Sequence, residues 1–578
     1  MLPSSQNYKV SDPGNRKILL ALLPFWTPLI PPLGISSLKG FLQRYNYPVK
    51  TVDANIELEF KEIYEMYFHM LEKYIPAGKR RHLNNMGFEV LRNHMMAHLH
   101  YKDEAEYIEL IKIVVSKNFF YDIHNDQALK LKEIVEAFYE RLETYFLDLI
   151  ERERPQLLGL SVYNDTLPAS LFVFKLTKER FPQIRTVMGG GIFAGELSYS
   201  SPNYHFFLDK TPYIDKIIVG EGEKLFLKLL QGELPGSQKV YTGRDISGEH
   251  LDLTESGTPD FSDLELNYYT HLASHASRSC PFQCAFCCET TFWGKYRKKN
   301  PKQVVEELIE LYDKHGIQLF LMCDSLLNPV IKGIAREFIN SNISIYWDGY
   351  LRVDHAVCSP DNTMIWRRGG FYRARLGIES GSQQVLDLMG KGITIKQIKD
   401  ALNSLAHAGI KTTTYWVIGY PGETEADFQQ TLALIEEMRD AIYEADCNPF
   451  QYYLTGQVNS DQWFKEYQHI PLYHEKMKDL LLVQKWNLDC PPGREEIYQR
   501  VNRFMDHCNR LGIPNPYSLN DIYLADERWK KLHKNAAPAL MEFMPVNGNK
   551  TGYIDENKKL RKTVCGRNPY QDDGDWGF

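Results

Sequence analysis

Twice along these 578 residues, short apolar runs of strand length end in glycine or an acid and give way to helical spacing. Parallel strands need a crossover segment to bring the chain back to the same edge, so this alternation is the signature of parallel βαβ units. The first series predicts strands at 17–23, 49–52, 157–162, 186–188 and 217–219. The second predicts them at 319–323, near 343–347, at 372–376 and at 412–418. A chain of this length exceeds one hydrophobic core. The expected division is an open α/β unit over 1–235 with a helical insertion at about 57–153, a linker over 236–265, a βα barrel over 266–440, and a helical to irregular, aromatic-rich region over 441–578. That last region carries Trp463, Trp486, Trp529 and Trp576.

The run RSCPFQCAFC at 278–287 carries Cys280, Cys284 and Cys287. Spacers of three and two residues let one tight loop offer three thiolates to three corners of a cuboidal iron–sulfur cluster, a kind of centre that usually takes four protein ligands. Three ligands leave one iron open. The alternative is structural zinc, which favours four ligands in separated pairs; no second pair is present. Cys288 is adjacent to Cys287 and reads as a buried thiol. Cys447, Cys490, Cys508 and Cys565 are scattered without paired spacing, a poor pattern for a second cluster.

Function in βα barrels collects at the carboxyl ends of strands, and Asp324, Glu379 and Gly419 all fall at such ends. Each also has an ordinary reading. Asp324 can cap a helix, Glu379 can close a strand-end salt bridge, and Gly419 can simply turn the chain. The helix after the cysteine loop is well marked, with Asn300 as cap, Pro301 in its first turn and Gly316 as its stop.

The cysteine loop and the ordered strand ends resemble the radical S-adenosylmethionine (SAM) superfamily, with its CxxxCxxC loop. The resemblance implies that Cys280, Cys284 and Cys287 hold a [4Fe-4S] cluster whose open iron is chelated by SAM, and that reductive cleavage of SAM yields a 5′-deoxyadenosyl radical. It implies SAM contacts from Phe286 and Ile418 with Gly419 (adenine), from Asp324, and from Arg375, Glu379 and Ser380 (ribose and methionine carboxylate). The implied fold is α/β, with a partial (β/α)6 radical SAM barrel.

The first series is similar to the Rossmann-like cobalamin-binding domain that precedes this barrel in one branch of the superfamily. The likeness rests on SVYND at 161–165, the triple glycine at 189–191 and GEGE at 220–223. It implies cobalamin contacts from Tyr163, Asn164, Gly189, Gly190, Gly191, Gly220 and Glu221. The D-x-H-x-x-G motif that supplies a histidine to cobalt is missing after the first strand, so cobalamin is expected without a histidine ligand, or the unit is empty. No GxGxxG follows that strand, which counts against NAD.

The formal charge of −7 argues against nonspecific nucleic-acid binding. The basic cluster from Lys295 to Lys299 reads as a solvated face, with a phosphate-contacting role as the lesser alternative. Residues 1–10 are polar and 18–26 are too short to span a bilayer. With no disulfide-type spacing, the expectation is a cytoplasmic protein without membrane association. His94 and His98 stand four apart, but an amphipathic helix accounts for them without a metal. The tail 568–578 is expected to be poorly ordered. The leading expectation is cobalamin-dependent methyl transfer to a carbon of a small-molecule or peptide substrate, with a reductant such as flavodoxin or ferredoxin. The alternatives are radical cyclisation, rearrangement or oxidation, and a non-catalytic iron–sulfur or zinc module.

Overall fold

The computed structural model describes residues 17–25, 30–80, 82–516 and 519–543. Trp576, Cys565 and the segments 1–10 and 568–578 lie outside them. The first sheet contains β1 (Ile18–Leu22), β2 (Val49–Asp53), β3 (Leu157–Ser161), β4 (Arg185–Gly189), β5 (Lys216–Ile218) and β6 (Val240–Tyr241), in the order β2-β1-β3-β4-β5-β6. Every pairing is parallel. The chain leaves β1 toward β2 on one side and reaches β3 on the other, so the crevice for a ligand lies outside the carboxyl ends of β1 and β3.

Strand β1 is apolar throughout because it is covered on both faces. Leu19 and Ala21 join the core of the insertion, whereas Ile18, Leu20 and Leu22 pack with Phe41, Phe226 and Leu230 of two helices opposite. The insertion consists of four helices, Leu58–Tyr74, Leu83–His100, Glu104–Phe119 and Asn125–Glu153. Within it, His94 Nδ1 is 2.9 Å from the Tyr67 hydroxyl, and His98 stacks on Tyr139. Both are packing residues of a helix bundle.

Gly190 has φ +111°, and a Cβ there would stand 2.4 Å from the Val162 nitrogen and 2.5 Å from its oxygen. Backbone cannot yield as a side chain can. Gly190→Ala is therefore expected to destabilise the first unit by about 3 kcal/mol or more, read as a lower denaturation midpoint and lower soluble yield.

The strands of the second sheet are β7 (Leu272–Ser274), β10 (Leu319–Met322), β11 (Tyr346–Arg352), β12 (Phe371–Glu379), β13 (Lys411–Ile418) and β14 (Glu444–Pro449). They run in the order β14-β13-β12-β11-β10-β7, again entirely parallel. Between β7 and β10, β8 (Ser277–Arg278) and β9 (Arg297–Lys298) pair antiparallel and pin the two ends of the cysteine loop together. Ala374, Leu376 and Ile378 face the surrounding helices. Arg373, Arg375 and Glu379 project to the other side of β12, where polar groups fill the interior: Arg373 pairs with Glu444 at 2.6 Å and Arg375 with Asp348 at 2.8 Å.

Three sequence boundaries need correction. The stretch 236–265 is not a plain linker, since it contains β6 and two 3-10 turns; a two-residue strand leaves no periodicity to read. The barrel does not stop at 440, because β14 adds a sixth strand. Its Glu444 is fully buried against Arg373 and breaks the apolar pattern. The strand expected near 343–347 lies at Tyr346–Arg352, where Asp348 and Arg352 point inward and disguise it.

Beyond β14 come β15 (His469–Pro471) with β16 (Trp486–Leu488), and the helices Arg494–Arg510 and Leu519–Leu532. Leu472, Tyr473 and Leu481 of this region enter the core of the first unit, whereas Phe504 and Trp529 enter the barrel's. The carboxyl-terminal region therefore ties the two sheets together.

Candidate active site

The cysteine loop begins just after β7. Its base is set by Asp324, whose carboxylate accepts the Ala276 N–H (3.1 and 3.0 Å) and the Ser277 hydroxyl (2.5 Å). Asp324 is buried, and burial pushes its carboxyl up to about 6 against those hydrogen bonds. Both oxygens accept from the chain, so Asp324 braces the base of the loop.

Cys284 is buried, and Cys280 and Cys287 are partly so. Burial raises the Cys280 thiol and pushes Cys287 up to about 12; a backbone N–H at Phe282 and another at Glu289 pull the other way. Arg352, at the end of β11, brings Nη1 to 3.2 Å from Cys284 Sγ and lies 4.0 Å over the Phe282 ring. Arg352 and Lys391 both favour the Cys280 thiolate. Lys391 Nζ is 2.5 Å from Glu379 Oε1 and 5.9 Å from the centre of the Phe286 ring. The structure thus gathers Cys280, Cys284, Phe286 and Glu379 around two cations that the sequence reading did not single out. Lys391 falls in a loop twelve residues beyond Glu379, with no motif to mark it. Arg352 was hidden by the misplaced strand.

Glu379 has φ +71° and follows a bulge in the β12–β13 pairing. A non-glycine residue in the left-handed region is costly unless its surroundings hold it there. Here the backbone turn carries the carboxylate into the interior, onto Lys391.

Other predicted contacts fall differently. Ser380 is buried, hydrogen-bonded to Thr431 and to the Ser382 N–H. The Ile418 side chain faces the helix-side core, and its carbonyl accepts from Phe450. Its neighbour Val417 is the one that shares an apolar cluster with Phe286 and Tyr420, as period-two alternation requires. Gly419 has φ +82° and donates its N–H to Glu423 at 2.8 Å; a Cβ there would meet Ile497 at 2.3 Å. Cys288 is half-buried, and burial pushes it up to about 11.

The loop after β14 clamps the cysteine loop from above. Val458 N–H donates to the Cys287 carbonyl (3.0 Å), Asn459 N–H to that of Ala285 (3.1 Å) and Gln457 Nε2 to that of Phe286 (2.9 Å).

The first unit meets this loop edge-on. The turn Gly191–Ala194 packs on the helix Glu289–Trp293 that follows the cysteines. Glu221 pairs with Arg297 and Arg278, and Glu223 with Arg278. Glu221 is therefore a clasp between the units, a correction to its expected ligand role, and the basic run is a solvated face only in part: Lys295 and Lys298 are exposed, whereas Arg297 pairs with Glu221 and Lys299 is fully buried on Glu307. Gly190 packs on Val162, and a Cβ on Gly191 would stand 2.8 Å from the Tyr163 ring; at Gly189 and Gly220 no such close contact arises. Tyr163 itself lies within the electrostatic reach of Cys323, the residue after β10. The carboxyl ends of both sheets thus face one another.

A cavity of about 580 Å³ opens between the first unit, the lip of the barrel and the carboxyl-terminal region, lined by Asn164, Asp165, Gly419 and Cys490 among others. Burial pushes the Asp165 carboxyl up to about 6, with Arg92 opposing and Glu89 adding to the rise. Because the folded value lies above the ordinary one, its contribution to stability is present below about pH 4 and is lost as pH climbs through about 6. Thermal melts are expected to show a smaller loss between about pH 4 and about pH 7 for Asp165→Asn than for the wild type.

Among the described residues no group of three or more His, Cys, Asp or Glu side chains is placed to hold one metal ion. A cuboidal cluster asks for something else, since each thiolate meets its own iron. Three thiols on one loop, two N–H groups aimed at sulfur and two cations beside them fit a negatively charged, sulfur-ligated cluster.

Residues 275–435 match the family model described as the radical SAM superfamily. They form a radical SAM domain. Across 314 residues the chain is 27% identical to an anaerobic magnesium-protoporphyrin IX monomethyl ester cyclase from Rubrivivax gelatinosus, covering 49% of this chain and 54% of that protein. It is 22% identical over 343 residues to the cobalamin-dependent radical SAM methyltransferase TokK from Streptomyces tokunonensis, covering 53% and 49%. The chain spans about half the length of the curated relatives it matches. Among solved structures, the radical SAM methyltransferase TsrM from Kitasatospora setae, with cobalamin and a [4Fe-4S] cluster bound, superposes with a TM-score of 0.59 at 12% identity over 95% of this chain and all of that one. The radical SAM domain and the sheet before it therefore share their architecture with that protein. No helix among the described residues is long and apolar enough to cross a membrane.

Proposed function

We propose that this protein transfers a methyl group to a carbon atom of a small-molecule or peptide substrate, using SAM, a [4Fe-4S] cluster and cobalamin. When bound, the cluster supplies an electron to SAM and cobalamin carries the methyl group. The observation that supports this reading best is the edge-on meeting of the two sheets: the glycine turn of the first unit packs on the helix leaving the cysteine loop. Ligands of open sheets and of βα barrels both sit at carboxyl ends, so two cofactors bound there would share one space.

The residues have distinct tasks. Cys280, Cys284 and Cys287 hold the cluster, with Arg352 and Lys391 balancing its charge. Glu379, held by Lys391, would accept from the ammonium or hydroxyl groups of SAM. Phe286, Val417 and Tyr420 form an apolar wall suited to adenine. Gly190 and Gly191 keep the turn facing the corrin site low, with the Tyr163 ring beside them. The clasp of Glu221 and Glu223 on Arg278 and Arg297 holds the two edges in register, which is the positioning that a transfer between two cofactors demands. An electron donor such as flavodoxin or ferredoxin completes the system.

The test is anaerobic reconstitution with methyl-labelled SAM, cobalamin and candidate substrates. Retained corrinoid, 5′-deoxyadenosine and a labelled product are expected. Protein that cleaves SAM but neither retains corrinoid nor labels any product would sink the methyl-transfer reading in favour of a cobalamin-free radical reaction.

A further inference from the structure

The cavity between the units carries more charge than its own contacts neutralise. Glu89 and Glu196 are closed into a four-membered network, with Arg92 at 2.7 and 3.0 Å and Lys485 at 2.6 and 3.2 Å from them. Three lining charges stand outside it, Asp165, Arg494 and the exposed Asp489. Among the described residues, Asp165 makes no ion pair or hydrogen bond through its carboxylate, and Arg494 has no carboxylate within pairing distance. After the Tyr473 hydroxyl, Arg494 feels Glu89, a carboxylate already held by two cations.

Arg494 begins the helix Arg494–Arg510, whose amino end adds positive potential on the same side. It lines the cavity with its guanidinium 5.9 Å from the centre of the Phe120 ring, and burial makes its proton easier to lose than usual. A partly buried cation without a counter-ion is costly when alone and binds an arriving anion more strongly than an exposed one does. Around it, Phe88, Phe450, Tyr452, Tyr453 and Trp486 provide flat apolar walls. The same cavity reaches Gly419 at the lip of the barrel. Asp165, on the wall of the first unit, repels an anion and so leaves one end for it.

We propose that this cavity is the substrate pocket and that it takes a planar, apolar organic molecule bearing an anionic group, carboxylate or phosphate, which pairs with Arg494. The inference rests on the proposed reaction taking place where the carboxyl ends of the two sheets face one another. With the anion anchored at Arg494, the apolar body lies between the aromatic walls and points toward that lip, so the chain chooses which carbon is presented.

The test uses the full chain, reconstituted anaerobically with cluster and cobalamin, and titration calorimetry with 2-naphthylacetate, 2-naphthyl phosphate and the neutral 2-naphthylacetamide. At least one anion is expected to bind about tenfold or more tighter than the amide, and which anion wins separates a carboxylate from a phosphate substrate. Arg494→Gln is expected to erase that preference and Arg494→Lys to restore part of it, with cluster and corrinoid absorbance unchanged in both. The inference is overturned if the amide binds as well as both anions, if no probe binds, or if Arg494→Gln keeps the preference. Loss of methyl transfer with the preference intact counts against the proposed reaction and leaves the pocket assignment standing.

Discussion

Serine at Cys280, Cys284 or Cys287 is expected to strip most of the iron from the reconstituted protein and to lower 5′-deoxyadenosine formation by more than the roughly 10–100-fold typical of outer-shell changes at metal sites. A serine hydroxyl is a far poorer ligand for iron than a thiolate, and the loop offers no spare sulfur in line. Cys288 makes the control. It caps the helix Glu289–Trp293 on the far side of Cys287, so Cys288→Ser is expected to keep both iron and activity. Arg352→Gln should fall between these outcomes, losing roughly 10–100-fold while keeping iron, because it removes a cation 3.2 Å from Cys284 but no ligand. Iron content and product formation measured side by side separate the three cases. Full SAM cleavage in the iron-depleted serine variants would overturn the assignment of the cluster.

Much of this architecture was legible because it depends on local pattern. A strand covered on both faces must be apolar throughout, and β1, β3 and β10 announce themselves in that way. The cysteine spacing is likewise a property of one short loop. What sequence reading missed depends on partners distant in the chain. Glu444 can be buried in β14 because Arg373 lies 2.6 Å away; before that pairing is known, two acids, an asparagine and a proline in six residues do not read as a strand. Asp324 and Glu221 stand in motif positions, yet their oxygens go to Ala276 and Ser277 and to Arg297. A motif marks where a side chain starts from, not what it reaches. Val417 against Ile418 makes the same point at one-residue scale: the strand end was right, but alternation gives the inward place to the neighbour. Lys391 and Arg352 were invisible for the opposite reason, since a lone cation has no pattern until a thiol or a carboxylate is folded against it.

The pair of Glu379 and Lys391 yields the sharpest separation of stability from function. Both side chains are buried, at 7% and 5% exposure, and their charged atoms are 2.5 Å apart. Removing one partner strands the other charge away from water, so Glu379→Met and Lys391→Met are each expected to cost about 3–5 kcal/mol in chemical denaturation. The double replacement by methionine removes both charges and keeps the volume, and is expected to recover most of that loss, as buried ion pairs replaced by apolar groups often do. Activity should not recover with it. If Glu379 is held at φ +71° in order to meet SAM, the double variant folds and retains its cluster, yet binds SAM weakly and forms little 5′-deoxyadenosine. A purely structural salt bridge gives the opposite result, with cleavage restored alongside stability. The left-handed backbone sharpens the contrast, because glycine is the residue that adopts such a φ without strain. Glu379→Gly should relieve that strain while removing the carboxylate, so any partial regain of stability relative to Glu379→Met, without regain of SAM binding, places the cost of the turn on the side of function.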